Sequence, residues 1–227
     1  MARGRSDTIF ALASGEGRAG VSVIRVSGPK AHEAGRALSG ALPKRRVAAL
    51  RAFRDAKAQV IDEGLLLVFE AGQSFTGEDI VEFQCHGSRA VVQALLGALG
   101  EIDGLRLAAP GEFSRRAFEN GRLDLTQVEA LGDLIEAETE AQRKLAVSNY
   151  SGALRDYVGA LRQNLLRAIA LTEASIDFAD EEIPEGLERQ VADALSESEK
   201  ALAKQIAGFE DARRIRTGIE IAIVGAP

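Results

Sequence analysis

Residues 80–86 read Ile-Val-Glu-Phe-Gln-Cys-His, and their alternation decides how the N-terminal half folds. Successive side chains of a strand point to opposite faces, so Val81, Phe83 and Cys85 form one apolar face, with Ile80, Glu82, Gln84 and His86 on the other. The first is the wall of a core and the second the wall of a site. Outward from this strand, residues 7–13, 21–27, 47–53 and 60–69 also read as strands, with a short one near Leu105. Helices are expected from Pro29 to Ser39, with proline at the opening position, and over 88–99 and 112–119. The turn-rich Ser-Phe-Thr-Gly-Glu-Asp (Ser74 to Asp79) leads into the alternating strand.

The pattern changes near residue 120. Of 23 glycines, 16 lie at or before Gly121, and seven of nine phenylalanines lie at or before Phe118. Residues 1–60 carry a local charge of +8 and the remainder −14, against −6 for the 227-residue chain. That balance is too acidic for a protein that grips nucleic acid over its whole surface. Beyond Leu123 the periodicity is helical and predicts three long helices, about 124–148, 152–177 and 187–215, with Asp124/Gln127 or Thr126/Glu129 as the opening cap pair. The fold class is α+β: a mixed α/β domain, an all-α segment and a terminal strand, Ile219 to Val224.

A single cysteine, Cys85, excludes an internal disulfide framework, and one Cys with two His is too few for a structural zinc site. No apolar stretch is long enough for a signal peptide or a membrane span, so a cytoplasmic protein without membrane contact is expected. Cys85 on the core face reads as an inert small hydrophobe, and His86 as a turn residue near a pocket. The basic run from Lys44 to Arg54 reads as a solvated connection rather than a grip on nucleic-acid phosphates. Asp180, Glu181 and Glu182 sit on one short loop and read as an inter-helix connection rather than a metal cluster. The glycine-rich Gly15 to Gly20 lacks the Lys-Ser/Thr of a phosphate loop and leads into a strand. A strand ending at Gly225 matches the start of such a loop, or an ordinary C-terminal strand.

Several segments, in order, resemble the tRNA-modifying GTPase family called MnmE or TrmE. They are Asp7-Thr-Ile, Ile24-Arg-Val-Ser-Gly28, the Ser74 to Asp79 loop with Glu82 and His86-Gly87, Ala109-Pro-Gly-Glu-Phe-Ser114, Arg116-Ala-Phe118, Asn120-Gly-Arg-Leu-Asp-Leu125, and Ile176-Asp-Phe178 with Asp180 to Ile183. The resemblance implies an aminomethyltransferase-like tetrahydrofolate-binding and dimerisation domain over 1–121, the first part of a helical domain over 122–217, and the first strand and incomplete P-loop of a G domain over 218–227. It implies a chain cut three residues into a nucleotide loop and lacking the GTPase active site.

By the same resemblance the folate contacts fall on Arg25, Glu82 and Arg122, the last at a position where some members carry Lys, and Gly225 is the P-loop glycine. The implied folate is a 5-formyl- or 5,10-methylene-tetrahydrofolate. GTP, K+ and Mg2+ belong to the absent G domain; partners are a second copy, the FAD protein MnmG and tRNA. From the residues alone two plainer readings stay open: Glu82 paired with a neighbouring Arg, and Arg25 guarding an edge strand. Two alternatives to the family function are a self-contained folate-dependent aminomethyltransferase and a non-enzymatic dimerisation or docking module. The apolar faces of the helical segment are expected to be exposed.

Overall fold

The computed structural model describes residues 7–177, 186–217, 222, 224 and 225. The chain divides into two compact units, residues 1–124 and 125–227. Among the described residues the first has six strands, β1 (Thr8–Leu12), β2 (Ala19–Ser27), β3 (Ala49–Arg54), β4 (Val60–Phe69), β5 (Ile80–Gly87) and β6 (Leu105–Leu107), with helices α1 (Ala31–Ser39), α2 (Arg89–Gly100) and α3 (Glu112–Glu119). They form one sheet in the order β3-β4-β5-β2-β1-β6. Every neighbouring pair is antiparallel except β1 with β6. The α+β class expected from the sequence is the class observed.

The two connections α1 and α2 pack on the same face of the sheet. Phe10, Ile24, Val26, Leu66, Val68, Val81, Phe83 and Cys85 meet Ala31, Ala34, Leu38, Leu95 and Leu99 there in one buried cluster. The alternation of residues 80–86 therefore sorts as its pattern requires, with the odd positions inward. Phe53 meets Phe83 edge to face at 5.2 Å, the geometry that sets a ring's positive edge on a neighbour's negative face. Gly64 makes this close packing possible: a Cβ there would lie 2.1 Å from the Gln84 carbonyl oxygen and 3.0 Å from the Phe53 ring.

Some boundaries differ from expectation. Pro29 does not open α1; it stands in the turn closed by the Ala31 N–H on the Gly28 carbonyl, and the helix starts at Ala31. His86 is a strand residue, not a turn residue, and its ring Nδ1 lies 2.9 Å from Asp62 Oδ1.

Among the described residues the second unit has five helices where three were expected: α4 (Leu125–Glu136), α5 (Glu140–Tyr150), α6 (Ala153–Asp177), α7 (Leu187–Ala207) and α8 (Phe209–Thr217). The first expected helix is split by a capping box, in which the Thr139 hydroxyl accepts the Gln142 N–H and the Gln142 side chain accepts the Thr139 N–H. The last is split at Gly208, a residue of low helix propensity. Along α6, Leu165, Leu166 and Ile169 remain 44–53% exposed. The Asp180 to Pro184 connection lies outside the described residues, and so does most of the terminal strand Ile219 to Val224.

Gly64→Ala forces a methyl group against a backbone carbonyl and an aromatic core, an overpacking that costs about 1–3 kcal/mol. The urea midpoint should fall accordingly, while Gly97→Ala, whose Cβ meets nothing within 4 Å, should leave it unchanged or higher.

Candidate functional site on the open face of the sheet

Arg25 on β2 and Glu82 on β5 are directly paired across the antiparallel ladder. Cross-strand partners lie within side-chain reach, and here Arg25 Nε donates to Glu82 Oε1 at 2.8 Å. The sequence reading of Glu82 as the partner of a nearby arginine is thus correct at the level of contact, with Arg25 as that arginine. The edge-strand reading of Arg25 is not: β2 sits between β5 and β1, in the interior of the sheet. The strand order follows from long-range pairing, which no local pattern announces.

Two aromatic rings hold the Arg25 guanidinium. Its Cζ lies 5.2 Å from the centroid of Phe75 and 5.4 Å from that of Phe113. Each ring offers its negative face to the cation. Phe75 comes from the loop before β5 and Phe113 from α3, so two elements far apart in sequence meet over one strand residue. Among the described residues, the two terminal amino groups of Arg25 and the second oxygen of Glu82 carry no hydrogen bond, and the side chains are 23% and 15% exposed. The result is a fixed planar donor beside a fixed acceptor, both short of partners and partly shielded from water.

Arg122 stands next to the same loop. Gly77, at φ 80°, leaves room for it: a Cβ there would lie 3.1 Å from Arg122 Cγ and 3.1 Å from Asn120 Cβ. A side chain at 77 would meet both left-handed backbone strain and this contact. The loop therefore carries Phe75 against Arg25 and supports the stem of Arg122. Gly225 is exposed, and its neighbours Ala226 and Pro227 lie outside the described residues, so the nucleotide loop expected there has no described geometry. His86, its side chain 72% exposed, pairs with Asp62. No group of three or more His, Cys, Asp or Glu capable of holding a metal occurs among the described residues.

An ion network joins the loop to α3. Arg116, 1% exposed, donates to the Asp7 carbonyl and to the carboxylates of Asp7, Glu78 and Glu112, at 3.1–3.2 Å. Arg106 holds Glu112 with two parallel bonds at 2.6 and 2.8 Å, and Ser27 Oγ donates to Glu78 at 2.7 Å. The hydrogen bond from Arg106 is the main reason the Glu112 carboxyl is held down to about 2, with the Ala109 N–H and Arg116 adding to it against the effect of burial. Burial opposes ionisation of Asp7, but Arg106 and Arg116 outweigh it and hold that carboxyl below its ordinary value.

With this geometry in view, the family model described as "GTP-binding protein TrmE N-terminus" matches residues 8–122, and the one described as "MnmE helical domain" matches residues 125–220. The chain belongs to the MnmE (TrmE) family. It is 56% identical over 221 residues to the tRNA modification GTPase MnmE of Dinoroseobacter shibae, covering 97% of this chain and 52% of that protein. The MnmE proteins of Roseobacter denitrificans and Ruegeria pomeroyi are each 53% identical, over the same shares. The chain spans about half the length of the curated relatives it matches. No helix among the described residues is long and apolar enough to cross a membrane.

The MnmE hallmarks quoted from the sequence include Phe75, Phe113 and Arg116, yet sequence reasoning assigned them no role. One signal was available: Glu112 and Arg116 stand four apart, the spacing of a helical ion pair.

Glu112 has its carboxyl depressed in the folded state, so its contribution to stability is complete above the unfolded value near 4.5 and is lost as the pH falls through about 2. Glu112→Gln should therefore lower the urea midpoint at pH 7, and its gap from the parent should close as the pH approaches 2. A gap independent of pH would refute the assignment.

Proposed function

We propose that this chain is the folate-binding portion of a tRNA-modifying GTPase, and that Arg25, Glu82 and Arg122 hold the folate. The observation that carries the reading is the Arg25–Glu82 pair, with uncommitted donors on one side chain and an uncommitted acceptor on the other. A pterin edge presents a ring N–H beside an exocyclic amine, and a carboxylate accepts such neighbouring donors side by side. Glu82 suits that edge; the terminal amino groups of Arg25 suit a carbonyl oxygen on the ring or on the one-carbon unit. Arg122 suits the carboxylates of the glutamate tail, where a planar fork replaces the point charge of the lysine that some members carry.

When bound, a 5-formyl- or 5,10-methylene-tetrahydrofolate supplies the one-carbon unit destined for the 5-position of the wobble uridine. The residues of this chain bind, orient and shield it. In this reading the N-terminal unit forms a homodimer, the FAD protein MnmG works with it in the cytoplasm, and the product carries an aminomethyl or carboxymethylaminomethyl group. GTP, K+ and Mg2+ act in the G domain, of which Gly225 would be the first P-loop glycine.

Calorimetry with 5-formyl-tetrahydrofolate tests the site. Hydrogen bonds to charged groups are worth about 1.5–3 kcal/mol each, so Arg25→Ala with Glu82→Ala should weaken binding on the order of a hundredfold or more, and Arg122→Ala by about tenfold. Equal affinity in parent and double variant would remove these residues from the site.

A further inference from the structure

The outer edge of the sheet carries a row of cations. From Lys44 to Lys57 the chain has six basic residues and a single acid, Asp55. Only Arg45 has a carboxylate partner, Glu70 at 2.6 Å; Lys44, Arg46, Arg51, Arg54 and Lys57 have none among the described residues. Asp55 forms no ion pair with the row, since its Oδ1 accepts the backbone N–H groups of Lys57 and Gln59 and closes the β3–β4 hairpin, and its single negative charge leaves the six cations in excess.

Three of the arginines are fixed to backbone carbonyls instead. Arg46 donates to Gln73 O, Arg51 to Ala41 O and Leu50 O, and Arg54 to Ala58 O. A guanidinium bound to a carbonyl keeps its full charge and still has donors to offer. Arg46 lies three residues before β3, its backbone N–H donating to the Val68 carbonyl, and Arg54 and Lys57 lie at the hairpin end. The row thus follows a strand of six residues, about 20 Å long at the usual rise.

We propose that this edge is an RNA-binding surface that tracks the phosphate backbone of the tRNA. The proposal rests on the reading of the chain as part of a tRNA-modifying protein. Cations of which all but Arg45 lack a carboxylate partner, three of them held by backbone carbonyls, match a polyanionic backbone, and they bring affinity without base specificity. A strand from an acidic protein, added to the edge, is less suited, because the Arg51 guanidinium already occupies the Leu50 carbonyl on that edge. The run that reads as a solvated connection in the sequence becomes a surface because β3 is the outermost strand.

The test titrates an unmodified tRNA transcript into the 227-residue chain across about 50–200 mM KCl, a range over which phosphate contacts are strongly screened. Alongside it runs the variant Arg51→Gln, Arg54→Gln, Lys57→Gln. The slope of log affinity against log salt should shrink by about 2–3, and affinity at 100 mM by on the order of tenfold to a hundredfold. Thermal midpoint and 5-formyl-tetrahydrofolate binding should match the parent. A control variant that neutralises Arg143, Lys144 and Arg162 in the helical unit should change the slope far less. Parent-like RNA binding by the edge variant overturns the proposal, as does an equal loss in the control. Parent-like RNA binding accompanied by self-association would mean that the cations protect the edge from strand pairing. An RNA-inert parent withdraws the tRNA reading of this chain, and the edge surface with it, whereas binding by parent and variant alike withdraws the edge surface only.

Discussion

The N-terminal unit depends on one buried cation. Arg116 is 1% exposed and meets Asp7 at the start of β1, Glu78 in the loop before β5 and Glu112 one turn earlier on its own helix. A charge so deeply buried is tolerated only when its partners are held as firmly as it is. Here they are: Glu112 is gripped by Arg106 and capped by the Ala109 N–H, and Glu78 accepts from Ser27. Glu112 is the carboxylate buried as deeply as Arg116, whereas Asp7 and Glu78 are half-buried, so breaking the Arg116–Glu112 contact is the costly loss, about 3–5 kcal/mol in comparable buried pairs. Three stretches of chain with no common core are thereby tied at one point.

That tie explains how the open face of the sheet carries a site. The helices α1 and α2 cover the opposite face and fix the positions of β2 and β5, which puts Arg25 against Glu82. They do nothing for the rings above Arg25. Phe75 belongs to the loop that Glu78 anchors, and Phe113 stands three residues before Arg116 on α3. When Arg116 joins the two elements, both rings close on one guanidinium and leave its terminal amino groups available. Gly77 then supports the stem of Arg122 beside the same loop. The ion network touches none of the three proposed ligand contacts, yet it positions what surrounds them.

Much of the sheet was legible in sequence because the strands are half-buried and the side-chain period of two is visible, most clearly in residues 80–86. The strand from Val60 to Phe69 and the helix Glu112 to Glu119 followed from apolar runs and turn residues in the same way. The interior position of Arg25 was not legible, since strand order is set by pairings such as Arg25 with Glu82, 57 residues apart. The role of Arg116 was hidden for the same reason: its partners lie 109 and 38 residues away as well as four. In the helical unit the apolar periodicity ran on through Thr139, although Thr-x-x-Gln is itself a capping signal. There the local stop outweighed the continuing pattern.

The most direct measurement is the 15N NMR exchange rate and chemical shift of the Arg25 Nε–H in the parent and in Glu78→Gln, which weakens the tie without touching Arg25. In the parent this proton, bonded to Glu82 between two rings, should exchange slowly and be displaced by both ring currents. In the variant the loop loosens, and the proton should exchange faster and move toward its random-coil shift. A signal with the parent's shift and exchange rate in a folded Glu78→Gln chain would contradict the claim that the Arg116 network holds this site together.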